Sequence, residues 1–166
     1  MKQITIGFST GNSLGSKMIR WLENSEFSHV FISWYSNNSE RQIIYQASGT
    51  AINFMGTKQF VNHGKVIKTI TLDVTDEQFK NCIQFCIDNA GVPYGLKQLI
   101  GMGYVKIMAK FGKNVNNPFR DGRKTYVCSE LVGTLLQEAF QIQLNLDLEY
   151  DGPQELYDKL IEIKNG

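Results

Sequence analysis

The sequence is short of three things: cysteine, proline, and any apolar run long enough to cross a bilayer. Its three cysteines make an odd count, and two of them, Cys82 and Cys86, stand one helical turn apart. That argues against a disulfide framework and for a reducing compartment, so the cytoplasm is the default expectation, with export lacking a classical signal as the alternative. The opening "MKQITIGFSTG" carries one lysine and an interrupted apolar run, which falls short of a signal peptide. No stretch approaches the roughly eighteen apolar residues of a membrane span, so no transmembrane segment is expected. Charge of one sign is missing too: 17 basic residues against 16 acidic ones give +1. A chain whose task is to neutralise many phosphates would be more basic, and no nucleic-acid partner is expected.

What is present is the composition of a folded domain. The 166 residues are 42% hydrophobic and 11% aromatic, enough to close a core, and they show no repeat, linker or break in composition. A single domain over 1–166 follows. "QITIGF" (3–8), "HVFISWY" from His29, "QIIYQAS" and "VIKTITLDV" (66–74) are rich in β-branched and aromatic residues and predict strands. The turn-like "SNNSE" makes the middle two a hairpin. Leu14, Met18, Trp21 and Leu22 recur at helical spacing behind the cap candidate Ser13, predicting a short helix that ends near Asn24. Phe79, Cys82, Ile83, Cys86 and Ile87 mark a second helix behind Thr75, closed by Gly91 and Pro93. Further helices are predicted over Leu96 to about Phe111, from Cys128, and from Pro153. Strands gathered early and helices late give an α+β class, an antiparallel sheet packed against helices.

"TYVCSELVG" stands where a loop rich in Lys, Arg, Asn and Gly meets an apolar helix. Leu131, Val132, Leu135, Leu136, Ala139 and Phe140 form a stripe that faces a core, and Cys128 belongs near that face in the first turn. Unpaired backbone N–H groups there favour a thiolate, lowering its pKa, and can hold an oxyanion. The plainer alternative is a packing cysteine, since free cysteine is among the most buried residue types. A reactive thiol needs a base, and only His29 and His63 are available. His29 opens a predicted strand, where its ring can face a cleft; His63 sits in a turn-like context and reads as surface.

The order of His29 at an early strand, the polar residue of "IIYQAS", and the late "YVCSELV" resembles the circularly permuted NlpC/P60-like, papain-like cysteine hydrolases, the group with YiiX-like and LRAT-like members. "GVPYGLKQLIG" and "DGPQELY" extend the resemblance over most of the chain. It implies a permuted papain-like NlpC/P60 fold, with Cys128 as nucleophile, His29 as base and Gln46 as the third residue that orients the imidazole. The implied reaction is hydrolysis of an amide or ester through a thioester, most simply of a peptide or peptidoglycan-type amide, without metal or organic cofactor. Gln46 stands where an acid or histidine is common in the group. Its carbonyl oxygen can accept a ring N–H but supports an imidazolium less than a carboxylate would.

Other readings compete. Cys82, Cys86, His63 and Cys128 are zinc-ligand types, but the neighbours of Cys82 and Cys86 place both in a core. "STGNSLGSK" lacks the ending of a phosphate-binding loop. Residues 106–124 carry Lys106, Lys110, Lys113, Arg120, Arg123 and Lys124 against Asp121 alone. Together with the preceding helix, residues 96–124 offer a cationic, amphipathic surface for peripheral membrane contact, with an acyl-lipid substrate to match. The simpler expectation is that Leu96, Leu99, Ile100, Ile107 and Phe111 pack on the sheet while the lysines face water. A non-enzymatic binding module on a hydrolase fold is a third reading.

Overall fold

The computed structural model describes residues 2–62, 64–119, 122, 124–148 and 150–166. His63 and the basic-segment residues Arg120, Asp121 and Arg123 lie outside them. Five strands, β1 (Lys2–Thr10), β2 (His29–Ser36), β3 (Arg41–Ser48), β4 (Ala51–Gly56) and β5 (Lys65–Val74), form one sheet in the order β4-β3-β2-β1-β5. Every neighbouring pair is antiparallel. Six helices are described: α1 (Leu14–Glu23), α2 (Thr57–Phe60), α3 (Asp76–Asp88), α4 (Leu96–Lys110), α5 (Cys128–Phe140) and α6 (Pro153–Asn165). The class is α+β, as expected.

The helix starts follow their predicted chemistry. The Ser13 hydroxyl accepts from the Ser16 N–H, Thr75 and Gln78 form a reciprocal capping box, and Pro153 occupies the first turn of α6. Strand β4 and the short α2 were not foreseen. "AINFMG" carries little β-branched signal and buries only Ile52; it becomes a strand because Gly49, at φ +66°, turns the chain back along β3. On one face of the sheet Ile4, Ile6, Val30, Ile32 and Tyr45 meet α5 and α3 in the main core. On the other face Phe31, Ile44 and Phe60 make a smaller cluster.

Helix α4 reverses the simpler expectation. It buries Gln98, Gly101, Met102, Gly103, Val105 and Lys106, and it leaves Leu96, Ile100, Tyr104, Ile107 and Phe111 exposed. The cause is its neighbours: α4 lies beside α1 and under the segment that carries Asn117, and does not lie on the sheet. A Cβ at Gly101 would stand 1.8 Å from Asn117 Oδ1, and one at Gly103 would stand 3.1 Å from Leu22. Glycine permits that approach, and polar residues share the buried side with Met102 and Val105. Gln98 Nε2 donates to Glu130 (3.0 Å), Asn117 Nδ2 donates to the Gln98 carbonyl (3.1 Å), and Lys106 Nζ donates to Glu155 (2.9 Å).

Gly101→Ala is expected to displace Asn117, which also accepts from the Phe119 N–H, and to cost about 1–3 kcal/mol in denaturant unfolding. An unchanged midpoint would show that the seam gives way freely.

Candidate functional site

His29 is the first residue of β2, and Gln46 lies on the adjacent strand β3. Their side chains meet, with His29 Nε2 2.7 Å from Gln46 Oε1. The other end of the amide is also held: Gln46 Nε2 donates to Met55 Sδ at 3.6 Å, across the β3–β4 pair. A thioether sulfur only accepts, so Gln46 turns its nitrogen to Met55 and its oxygen to the ring. The ring hydrogen therefore sits on Nε2, and Nδ1 carries the free lone pair. Burial lowers the His29 pKa, partly offset by this hydrogen bond, and the imidazole is neutral near pH 7.

Cys128 begins α5 behind Val127, whose extended backbone starts the helix without a side-chain cap. The approach is fixed by a short bridge: Gly95 N–H donates to the Tyr126 carbonyl (2.9 Å), and Tyr126 N–H donates to Pro93 (3.3 Å). The thiol is held against the backbone N–H of Val30, the residue after His29, and against those of Ser129 and Cys128 itself. At this end of the sheet the β2–β3 register begins only at Ile32↔Tyr45, so His29 and Val30 lie outside it. Burial pushes the thiol up to about 11, against the pull of those three N–H groups and with a further push from the charge of Glu23. The expected lowering by the helix N-terminus is thus real in sign but outweighed: Cys128 is only 5% exposed. Thiol and imidazole are not hydrogen-bonded to each other. The resting pair is neutral, with no thiolate–imidazolium ion pair.

A cleft of about 590 Å³ opens beside His29 and Gln46, lined among others by Ser9, Ser16, Tyr94 and Leu99. Cys128 is not part of the lining. Tyr94 relates the two: it lines the cleft, and its phenol pKa is raised by burial first and by the Cys128 thiolate charge second. It stays protonated and is a hydrogen-bond donor. Cys82 and Cys86 sit in the main core on α3, where their mutual hydrogen bond and then burial raise the Cys86 pKa.

Three further residues escaped the reading of the sequence: Tyr94, Glu23 and Glu130. Glu130 is 1% exposed in the first turn of α5, where a carboxylate suits the helix N-terminus, and it ties α5 to Gln98 of α4. Glu23 has a side chain 5% exposed, 3.5 Å from the Lys106 ammonium. Its Oε2 is buried without a partner. Burial outweighs the lysine and raises the Glu23 pKa to about 7. The space is tight, since a Cβ on Gly152 would stand 1.9 Å from Glu23 Oε1. In the sequence Glu23 reads as an ordinary helix-end acid; only "DGP" near the end, with its glycine, hinted at a close approach.

No protein-family model matches the chain, and no curated protein matches it. Among solved structures, the chain is similar to "metalloprotein yiiX from Escherichia coli O157:H7, DUF1105", with a TM-score of 0.59 and 20% sequence identity, over 98% of this chain and 81% of that one. The likeness shows a shared fold. Among the described residues, no group of three or more His, Cys, Asp or Glu side chains is placed to hold a metal ion. The His29 imidazole, which lines the cleft, directs Nε2 to Gln46.

Glu23 makes a pH-dependent contribution with a definite sign. The unfolded carboxyl ionises near its ordinary 4.5, whereas the folded one holds its proton to about 7. The folded state thus binds more protons in between, and stability falls as pH rises through that window. Thermal melts should show wild type losing several degrees relative to Glu23→Gln between pH 4.5 and 7; parallel curves would contradict the buried carboxyl.

Proposed function

We propose that the chain is a cysteine-dependent amide or ester hydrolase of the permuted NlpC/P60-like, papain-like kind, with Cys128 as nucleophile, His29 as base and Gln46 as the residue that positions the base. The observation that carries this reading is the Met55–Gln46–His29 chain, which leaves the Nδ1 lone pair as the free acceptor, next to a thiol seated on the Val30 N–H.

The chemistry runs from a neutral pair. As Cys128 Sγ forms its bond to the substrate carbonyl carbon, Nδ1 takes the thiol proton and the carbonyl electron pair moves onto oxygen. The N–H groups of Cys128 and Ser129, which already face the thiol, are placed to steady that oxyanion. Collapse breaks the bond to the amine or alcohol, which leaves with the proton from Nδ1. Water then attacks the thioester by the same route, releasing the acid and restoring the thiol. Ser9, Ser13, Ser16 and Asn53 along the cleft offer hydroxyl and amide partners that favour a peptide-type amide as substrate.

An activated aryl ester such as p-nitrophenyl acetate tests this directly, because its acyl group would be trapped on the nucleophile and located by peptide mass spectrometry. The acetyl group is expected on Cys128, forming about 100-fold or more slower in His29→Ala. Gln46→Ala, which removes the hydrogen bond that orients the ring, should slow it about tenfold. The acid limb of the rate profile should fall below the ordinary imidazole value of 6.5. Acetylation elsewhere, or equal losses in the Gln46 and Cys128 variants, would overturn the assignment.

A further inference from the structure

Two helices turn apolar side chains outward together. On α1, Leu14, Met18 and Trp21 are exposed at three- and four-residue spacing. On α4, Leu96, Ile100, Tyr104, Ile107 and Phe111 continue the same spacing, with Phe111 77% exposed. The helices run parallel: Ile19 and Leu99 border the same two cavities, while Trp21, Leu22 and Glu23, later in α1, meet Lys110, Gly103 and Lys106, later in α4, with the Lys110 ammonium 4.5 Å from the Trp21 ring. Each exposed stripe is rotated from that seam by about one residue's step, roughly 100°, in opposite senses on the two helices. On parallel helices this brings both stripes out on one side. The result is a continuous apolar platform, larger than scattered surface hydrophobics require.

The exposed charge on these two helices and on the segment after α4 is of one sign. Lys17, Lys97, Lys110 and Lys113 are exposed within or beside the two helices. No Asp or Glu occurs between Lys2 and Leu22, or between Asn89 and Phe119. Lys17, Lys97 and Lys113 form no ion pair among the described residues. The acid that ends α1, Glu23, is turned inward to Lys106. Two such faces would repel one another, which disfavours a second copy as the cover. An anionic bilayer satisfies both halves of the pattern, with the apolar groups in the acyl boundary and the lysines at the headgroups.

We propose that the α1–α4 face docks this protein on the surface of an anionic membrane. No helix is long and apolar enough to cross one, so the contact is peripheral. Ile19 of α1 and Leu99 of α4 also line the cleft, so the docking face and the cleft are built on the same two helices. The binding does not depend on the chemistry at Cys128.

Vesicles of phosphatidylcholine with phosphatidylglycerol, and of phosphatidylcholine alone, separate the outcomes. The protein has two tryptophans; Trp21 is 65% exposed and Trp34 only 6%, so a blue shift of emission on binding reports Trp21. The shift and co-sedimentation are expected with the anionic vesicles at low salt, and both should fade as salt is added. Ile100→Ser with Phe111→Ser should weaken binding about tenfold or more, while acylation of Cys128 by the aryl ester stays as in wild type. Absence of binding to anionic vesicles at low salt would overturn the proposal, as would equal, salt-independent binding to phosphatidylcholine. Self-association in sedimentation that the same two substitutions abolish would also overturn it, because a second copy would then be the occupant.

Discussion

The ammonium of Lys106 is the constraint on which the helical half of the molecule depends. Inside a seam of glycine and polar side chains it meets Glu23 of α1 and Glu155 of α6, so one charge joins three helices. Lys106 is 7% exposed and its pKa is raised, the attraction of the carboxylates prevailing over burial. Removing one partner of such a group leaves an uncompensated buried charge, which costs far more than a surface pair returns. Because α4 gives much of its buried side to glycine and these polar contacts, Leu96, Ile100, Tyr104, Ile107 and Phe111 are left facing outward.

The same arrangement sets the cleft. Gln98, in the first turn of α4, grips Glu130 in the first turn of α5, while Gly95 and Tyr126 bridge the two segments ahead of those helices. The helix that carries Cys128 is therefore registered against α4 as well as against the sheet. On the sheet side, the thiol fills the place where β2 is no longer paired with β3. Buried N–H groups there have a sulfur to bond where a ladder would otherwise supply carbonyls, which is a structural reason for a cysteine at that position as much as a chemical one.

The parts of this molecule that were legible in the sequence are those with a local cause. β1, the β2–β3 hairpin, β5, the caps at Ser13 and Thr75, and the helix at Cys128 announce themselves by spacing, turn residues and side-chain type. His29 and Gln46 came from a resemblance, and their contact follows from neighbouring strands. β4 was missed because its order comes from its partner. The orientation of α4 was misread for a related reason: periodicity tells which residues share a face, but not which face is covered. Gly101 and Gly103 decide that by letting Asn117 and Leu22 approach, contacts between segments distant in the chain. Glu23 and the elevated Cys128 pKa were hidden likewise, since burial is a property of the assembled fold.

The separation along the chain between the parts of the site has a consequence for how it comes into being. His29 and Gln46 are 17 residues apart across one hairpin, a pairing that closes a short loop. The sheet around them is completed only when β5 returns to β1, with Lys2 opposite Val74, and Cys128 arrives later still in sequence. Long loops close at greater entropic cost and later than short ones. During synthesis the imidazole and its amide partner can thus be in place while the thiol is still on the ribosome or in an undocked helix. The nascent chain carries an oriented imidazole that has no thiol beside it, and the two parts of the site come together in a single late step, the docking of α5.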